Sequence, residues 1–153
     1  MNTVTIRDAS RGDAATLAGF NVAMALETED KRLHPQTVER GVAALLEAPE
    51  KGFYLVAEVG GRAAGCLMVT FEWSDWRDRD FWWIQSVFVQ PGQRGRGVFR
   101  ALYREVRRRA DCRGGVCGLR LYVEERNKNA QQTYRRLGMR RTGYLVMEQE
   151  LAG

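Results

Sequence analysis

Residues 87–99 read VFVQPGQRGRGVF, and this stretch decides the fold. An apolar run of strand type, residues 83–89, stops at Pro91 and Gly92 and leads through a turn rich in glycine and arginine into a helical pattern that starts at Val98. The first turn of a helix presents backbone N–H groups without partners and the positive end of the helix dipole. Glycines let such a backbone curl around an anion. The stretch therefore predicts a diphosphate site, although a plain turn before a helix has the same pattern.

Two other phosphate motifs are absent from this turn. No Gly-Lys-Ser/Thr follows it, which excludes the Walker pattern, and the three-glycine dinucleotide fingerprint is missing as well. The formal net charge of +5 fits either nucleic acid or a small polyanion such as a phosphorylated cofactor. Charge alone does not decide between these two partners.

The remaining composition predicts one ordinary globular domain spanning residues 1–153. Of all residues, 44% are hydrophobic and 28% are charged, and no apolar run approaches the roughly 20 residues of a membrane span. The N-terminus lacks the apolar run of a secretion signal. Three cysteines without metal-ligand spacing and a single histidine argue against a metal site and favour a reducing cytoplasm. The cysteines are expected to be small buried residues.

Apolar spacing and turn residues predict the element order β-α-α-β-β-β-α-β-α-β-β. Ser10 and Asp13 resemble a capping box that opens the first helix, and Pro35 suits the first turn of the second. Gly60 and Gly61 indicate a hairpin. The expected strands cover residues 4–6, 54–59, 63–71, 83–89, 117–123, 139–142 and 144–150. This order describes a mixed α/β sheet in one domain.

The turn also carries a specific resemblance. Arg94, Gly95 and Gly97 stand as in motif A of the GNAT N-acetyltransferase superfamily, whose core is Arg/Gln-x-x-Gly-x-Gly/Ala. Phe99 departs from it, because it occupies a position where the family usually has Gly or Ala. The resemblance implies a mixed, mostly antiparallel sheet of six to seven strands with about four helices, splayed between the fourth and fifth strands.

The same resemblance implies how acetyl-CoA would bind. Backbone groups of Val87 and Val89 would pair with the pantetheine arm as an added strand does, and N–H groups of residues 95–99 would hold the pyrophosphate. The implied cofactor-binding residues are Val87, Phe88, Val89, Arg94, Gly95, Arg96, Gly97, Val98, Phe99, Arg100, Asn127 and Tyr134.

A second motif lies about 35 residues downstream. Asn127, Ala130, Tyr134 and Gly138 are similar to the GNAT pattern Asn-x-x-Ala-x-x-x-Tyr-x-x-x-Gly-Phe, with Met139 in place of Phe. The resemblance implies that Asn127 binds pantetheine and that Tyr134 is the general acid that protonates the departing thiolate. Helical spacing alone would make Tyr134 a packing residue.

The base that deprotonates the amine is not apparent. Some relatives have an acidic residue at the position of Gln85, and glutamine cannot accept a proton at neutral pH. Glu27, Glu29 and Glu72 are the candidates, of which Glu27 and Glu72 are the preferred catalytic ones, with a water chain as the other route.

The segments that form the acceptor pocket in the family are acidic and aromatic here. All four tryptophans fall within residues 73–83, beside several carboxylates, and carboxylates next to aromatic rings suit a cationic group. An exposed aromatic ridge could equally form a homodimer interface. The candidate substrate-binding residues are Glu27, Glu29, Glu72, Trp73, Trp76, Trp83 and Gln85.

Three functions follow from these patterns. The first is an acetyl-CoA-dependent N-acetyltransferase that acts in the cytoplasm on a primary amine of a small molecule or peptide, without nucleic-acid or membrane partners. The second is a catalytically weak module of the same fold that senses acyl-CoA or binds a partner. The third, RNA binding, is suggested by the arginines but lacks the aromatic-basic RNA motifs.

Overall fold

The computed structural model describes residues 3–152. The chain forms two compact units, of which the first reaches to Leu121 and the second begins at Tyr122. Each unit is described by itself.

The first unit contains a five-stranded sheet in the order β1-β2-β3-β4-β5. Neighbouring strands are antiparallel except β4 and β5, which are parallel and joined through helix α3. The elements are β1 (Val4–Asp8), α1 (Ala14–Glu29), α2 (Pro35–Leu46), β2 (Gly52–Val59), β3 (Arg62–Ser74), β4 (Arg79–Val89), α3 (Val98–Arg113) and β5 (Val116–Leu121). Short 3-10 turns precede α1 and α3.

The helices pack on both faces of the sheet. Phe53 and Tyr54 are neighbours on β2 and therefore face opposite sides. Tyr54 belongs to the core beneath α1 and α2, which includes Leu17 and Val42. Phe53 faces α3, because the Arg109 guanidinium lies 5.4 Å from its ring centre. This two-sided packing explains why β2 and β3 are almost continuously apolar.

The predicted start of α1 is confirmed. The Asp13 carboxylate accepts a 2.7 Å hydrogen bond from the Ser10 N–H and is held by Arg7 at 2.8 Å. These contacts lower the pKa of Asp13 to about 2, with the Arg7 hydrogen bond as the largest cause. The α1 N-terminus is thus fixed against the end of β1 by a charged capping residue.

In the second unit the described residues contain one helix, α4 (Lys128–Arg136). The predicted strands at 139–142 and 144–150 are wrong, since residues 139–152 have no strand structure. Alternating side chains indicate which residues could share a face, but a strand also needs a neighbour for its N–H and C=O groups, and the described part of this unit has no strand to provide them. The predicted mixed, mostly antiparallel fold with four α-helices is confirmed, with five strands in residues 3–152 instead of six or seven.

Candidate cofactor and acceptor site

A β-bulge interrupts β4 in the middle of the sheet. Cys66 pairs with Phe88 and Met68 with Gln85, so that Ser86 and Val87 together lie opposite one residue of β3. Ser86 has a φ of 51°, which is unusual for a residue with a side chain. The extra residue changes the alternation of β4, and residues on either side of it face different helices.

The aromatic contacts of β4 demonstrate this change of face. Trp82 lies beneath Arg113 of α3, at 5.8 Å. Phe88 instead packs against Phe20 of α1, with ring centres 5.2 Å apart. Trp82 and Phe88 are six positions apart, and an unbroken strand would place both on one face. The bulge therefore turns the end of β4 towards α1.

The same half of β4 extends beyond the end of β5. The parallel pairing ends at Ile84, opposite Leu121, whereas β4 continues to Val89. The end of this pairing at Ile84 agrees with the predicted splay between the fourth and fifth strands. Within the first unit, residues 85–89 consequently have a strand neighbour on the β3 side alone, and the backbone groups of their other edge do not take part in a ladder there.

A buried polar group lies behind the bulge. The Asn21 amide, on α1, donates to the Tyr54 hydroxyl at 3.0 Å and to the Leu17 carbonyl at 3.0 Å. Burial raises the pKa of Tyr54, and hydrogen bonding with the Ser86 and Asn21 side chains opposes that rise. This contact joins α1, β2 and the bulge. Its one signal in the sequence is an asparagine in the apolar stripe of α1.

The loop between β4 and α3, residues 90–97, has the backbone shape that the sequence predicts. Gly95 and Gly97 have φ angles of 76° and 81°, in the left-handed region. Gly97 immediately precedes α3, and no side chain caps the helix. The first backbone bond of the helix is from the Ala101 N–H to the Gly97 carbonyl, at 3.0 Å. The N–H groups before Ala101 thus point out of the helix start, and the first turn contains no acidic residue.

The Arg94 side chain of this loop contacts both α1 and β4. Its Nη2 donates to Glu27 Oε2 at 3.0 Å, and its Nη1 lies 2.7 Å from Glu27 Oε1. Its Nε donates to the Val89 carbonyl at 2.9 Å. The guanidinium also lies 5.7 Å from the ring centre of Phe88. Arg94 therefore links the end of β4 to the C-terminal turn of α1.

This contact bears on the candidate base. The Arg94 hydrogen bonds lower the pKa of Glu27. A base that takes a proton from an ammonium group needs a higher proton affinity, not a lower one. The catalytic role of Glu27 stays a prediction, and the structure gives its carboxylate a different partner.

The other loop residues differ in exposure. Phe88 and Val98 are buried, so their side chains belong to the core. Val87 and Val89 are half-buried, and Arg96 and Arg100 are exposed. The Phe99 ring lies along the helix surface, 6.2 Å from that of Tyr103. Phe99 thus packs sideways against the next helical turn.

The acidic and aromatic segment forms the far end of the β3–β4 hairpin, residues 72–83, which we call the tryptophan hairpin. Glu72 Oε1 accepts hydrogen bonds from Trp83 Nε1 at 3.0 Å and from Arg120 Nη1 at 2.9 Å. Arg120 also lies 3.5 Å above the Phe81 ring. Arg120 is not among the residues predicted from the sequence, because its place beside Glu72 depends on β5 lying parallel to β4.

The other predicted substrate-binding residues differ in exposure and in their partners. Trp73 and Trp76 are 60% and 84% exposed, so both rings are accessible. The Gln85 amide donates to the Thr70 hydroxyl. Glu29 is exposed, 4.0 Å from the Lys31 ammonium. The fourth tryptophan, Trp82, is a core residue at 2% exposure.

In the second unit, the motif residues lie on α4. The Asn127 side-chain oxygen accepts a 3.1 Å hydrogen bond from the Ala130 N–H and so caps the helix. Ala130, Tyr134 and Leu137 are half-buried on a helix whose other residues are mostly exposed, which agrees with a shared helix face. Burial raises the pKa of Tyr134, so its hydroxyl keeps its proton at neutral pH.

The cysteines are free thiols in different environments. Cys66 is buried, and burial raises its pKa to about 12, which leaves it protonated. The expectation that all three cysteines are buried is wrong, because Cys112 is exposed on α3 and Cys117 is half-buried. Among residues 3–152, no cluster of three or more histidine, cysteine, aspartate or glutamate side chains has a metal-binding arrangement. No helix in the described part of the chain is both long enough and apolar enough to span a membrane.

Comparisons with known proteins agree with this geometry. The sequence model of the Acetyltransferase (GNAT) family matches residues 21–139. An uncharacterized N-acetyltransferase of Methanocaldococcus jannaschii is 36% identical over 95 residues, which cover 61% of this chain and 41% of that protein. The chain thus spans less than half the length of that relative.

Solved structures show the same fold. A possible acetyltransferase from Clostridium difficile 630 is 40% identical, with a TM-score of 0.92 over 98% of this chain and 99% of the other. A ribosomal-protein-alanine N-acetyltransferase from Brucella melitensis biovar Abortus 2308 is 16% identical, with a TM-score of 0.78 over 98% and 100% of the two chains, and this likeness shows the fold alone. With the family match covering most of its residues, the chain belongs to the Acetyltransferase (GNAT) family.

Proposed function

We propose that this chain is an acetyl-CoA-dependent N-acetyltransferase that moves an acetyl group to a primary amine by direct attack in a ternary complex. The observation that carries the proposal is the edge of β4 at residues 85–89 that no strand of the first unit pairs with, next to a helix start whose N–H groups suit an anion. A ligand with an amide-containing arm and a diphosphate fits these two features together.

The residues present fit acetyl-CoA. The N–H groups of residues 95–99 would hold the pyrophosphate, because Gly95 and Gly97 give the loop a left-handed shape that brings the backbone itself to the surface. Backbone groups of Val87 and Val89 would pair with the pantetheine arm, and Asn127 would contribute its amide. When bound, acetyl-CoA supplies an activated acetyl group.

The chain's own chemistry needs few groups. A backbone N–H of residues 86–89 would donate to the oxygen that becomes negatively charged during attack. Tyr134 would provide a proton to the leaving group, and its raised pKa means that the hydroxyl is protonated at neutral pH. No covalent enzyme intermediate is required, which agrees with the protonated, buried thiol of Cys66.

The amine must lose its proton before attack, since a free lysine-like amine has a pKa of about 10.4. The Arg94 hydrogen bonds lower the pKa of Glu27, which makes its carboxylate a weaker proton acceptor, and the Glu72 carboxylate already forms an ion pair with Arg120. Gln85 cannot act as the base. We therefore favour a water chain as the proton route.

For the acceptor we propose a cationic or primary-amine group on a small molecule or peptide. Exposed rings of the tryptophan hairpin next to carboxylates support this class. We further propose that the chain acts as a single catalytic domain, residues 1–153, in the cytoplasm, without nucleic-acid or membrane partners, and that the exposed Trp73 and Trp76 could serve a homodimer interface.

A thiol-release assay with acetyl-CoA and a panel of amines, peptides and aminated small molecules tests the proposal. Release stimulated at least several-fold by one amine class, with the acetylated amine detected by mass spectrometry, supports it. Calorimetry with CoA separates the alternatives. Tight CoA binding without turnover on any amine would favour a sensing module, and absence of CoA binding would contradict the proposal.

A further inference from the structure

Glu27 is a predicted acceptor-binding residue, whereas Arg94 is a predicted cofactor-binding residue. Glu27 lies in the last turn of α1, and Arg94 lies in the loop expected to hold the diphosphate. They are 67 positions apart in sequence, yet their side chains form a bidentate ion pair, with N–O distances of 2.7 and 3.0 Å. Each ligand would thus meet a charged residue that already has a partner of the opposite sign.

This contact can exchange partners. The Arg94 and Glu27 side chains are 44% and 45% exposed, so both are accessible to a competing ion. A half-exposed pair is also only weakly stabilising, because water screens it. A diphosphate at the helix start carries more negative charge than a carboxylate, and an alkylammonium is a compact cation that suits a released carboxylate.

We propose that the Glu27–Arg94 ion pair couples the two binding regions by exchange: an anion that takes Arg94 releases Glu27 for a cationic acceptor, and a cation that takes Glu27 releases Arg94 for the diphosphate. Either ligand alone must break the pair, whereas the second ligand finds it already broken. The two ligands therefore bind with positive cooperativity, and the coupling is reciprocal. This inference rests on the proposed function.

Arg94 is well suited to such an exchange because it does not depend on Glu27 for its position. Its Nε remains bonded to the Val89 carbonyl, and its guanidinium lies over Phe88. Loss of Glu27 would leave the side chain at the same end of β4. Removal of the carboxylate is accordingly expected to release the cation without disordering the loop.

The direction in which one substitution changes the CoA affinity tests the exchange. Glu27→Gln should tighten CoA binding by about two- to fivefold, the range expected for an exposed ion pair. If Glu27 instead served to hold the loop in shape, the same substitution would weaken binding. Isothermal titration with CoA distinguishes these outcomes, and unchanged affinity would also contradict the exchange.

Two further variants sharpen the experiment. Asp30→Asn removes the same charge three residues away, where α1 ends, and Asn tolerates the φ of 53° at that position. It reports the general electrostatic effect, so the expected gain must be larger for Glu27→Gln. In an Arg94→Gln background, Glu27→Gln should no longer change CoA affinity, and a persistent gain would overturn the exchange.

The acceptor half is tested with n-hexylamine as the cation and 1-hexanol as its uncharged control. Saturating n-hexylamine should tighten CoA binding to the unsubstituted protein and should not do so in Glu27→Gln, whereas 1-hexanol should have no such effect. If the unsubstituted protein does not bind CoA, the proposed function fails. If it binds CoA but Glu27→Gln and n-hexylamine change nothing, the exchange alone fails.

Discussion

The β4–α3 loop and the tryptophan hairpin lie on connections of the same sheet, yet they present different kinds of atoms. The loop presents backbone N–H groups shaped by Gly95 and Gly97. The hairpin presents side chains, and its central carboxylate, Glu72, is matched by Arg120 from β5. Backbone recognition needs particular φ and ψ angles, which a few glycines encode locally. Side-chain recognition needs partners from several strands, so it depends on how the sheet is assembled.

The largest expected effect tests whether chemistry depends on a side chain outside both regions. Tyr134→Phe should lower kcat by about 10²-fold or more while CoA affinity stays unchanged, because it removes the proton donor and keeps the ring. Steady-state kinetics with the best amine, together with calorimetry, check this. Tyr144→Phe, at an exposed position of the same unit, serves as the control. A kcat equal to that of the unsubstituted protein would make Tyr134 a packing residue.

The next prediction tests whether the β4–α3 loop binds CoA through its left-handed backbone. Gly97→Val should weaken CoA binding by about tenfold or more. A β-branched residue at φ 81° strains the backbone by about 1–3 kcal/mol, and its side chain blocks the close approach of the diphosphate to the loop. Gly92→Val adds the same bulk in the same loop, where the glycine has no left-handed φ and open space around it.

Calorimetry on both folded variants decides the point. Equal losses in Gly97→Val and Gly92→Val would show that side-chain bulk, and not the left-handed backbone, governs the site. Unchanged affinity in a folded Gly97→Val protein would contradict the diphosphate assignment.

A smaller effect is expected in the tryptophan hairpin. Trp76→Ala should raise the KM for a cationic amine by about two- to fivefold, since a cation–π contact at an exposed ring contributes about 0.5–1 kcal/mol. Glu72→Gln should have a lesser effect, because Arg120 already offsets the carboxylate charge. Kinetics with the best amine measure both. If both variants keep kcat/KM while a neutral or anionic acceptor is turned over better, the acceptor class is wrong.

The smallest effect on ligand binding is expected from Asp13→Asn, which alters the contact between the start of α1 and Arg7 of β1. The folded-state pKa of Asp13 is lowered to about 2, so its stabilisation is present above its ordinary pKa of 3.8 and is lost as the pH falls towards 2. The variant should lose about 1 kcal/mol of unfolding free energy at pH 7, since solvent screens part of the ion pair.

Urea unfolding at pH 7 and at pH 2.5 measures this contribution. The difference between the variant and the unsubstituted protein should shrink at the lower pH, and CoA affinity at pH 7 should be equal in both. An equal stability difference at the two pH values would show that the ionised carboxylate is not the cause.

The sequence by itself determined the β4–α3 loop and most of the elements around it. Gly95 and Gly97 mark left-handed positions, Pro91 ends the strand, and the apolar spacing from Val98 sets the helix, all through interactions between near neighbours in the chain. The start of α1 at Ser10 and Asp13 is local in the same sense. A short motif was therefore enough to indicate the family.

Tertiary structure alone decided the rest. The position of the β4 bulge at Ser86 depends on the pairing of β4 with β3. The Asn21–Tyr54 hydrogen bond and the Glu27–Arg94 ion pair likewise join residues tens of positions apart in the sequence. The strands predicted at 139–142 and 144–150 are absent from the structure. A strand forms only where a neighbour satisfies its backbone N–H and C=O groups, and a local pattern does not show whether such a neighbour exists. The local sequence pattern determines which residues share a face of a helix or strand. The assembled sheet determines which residues of other elements they contact.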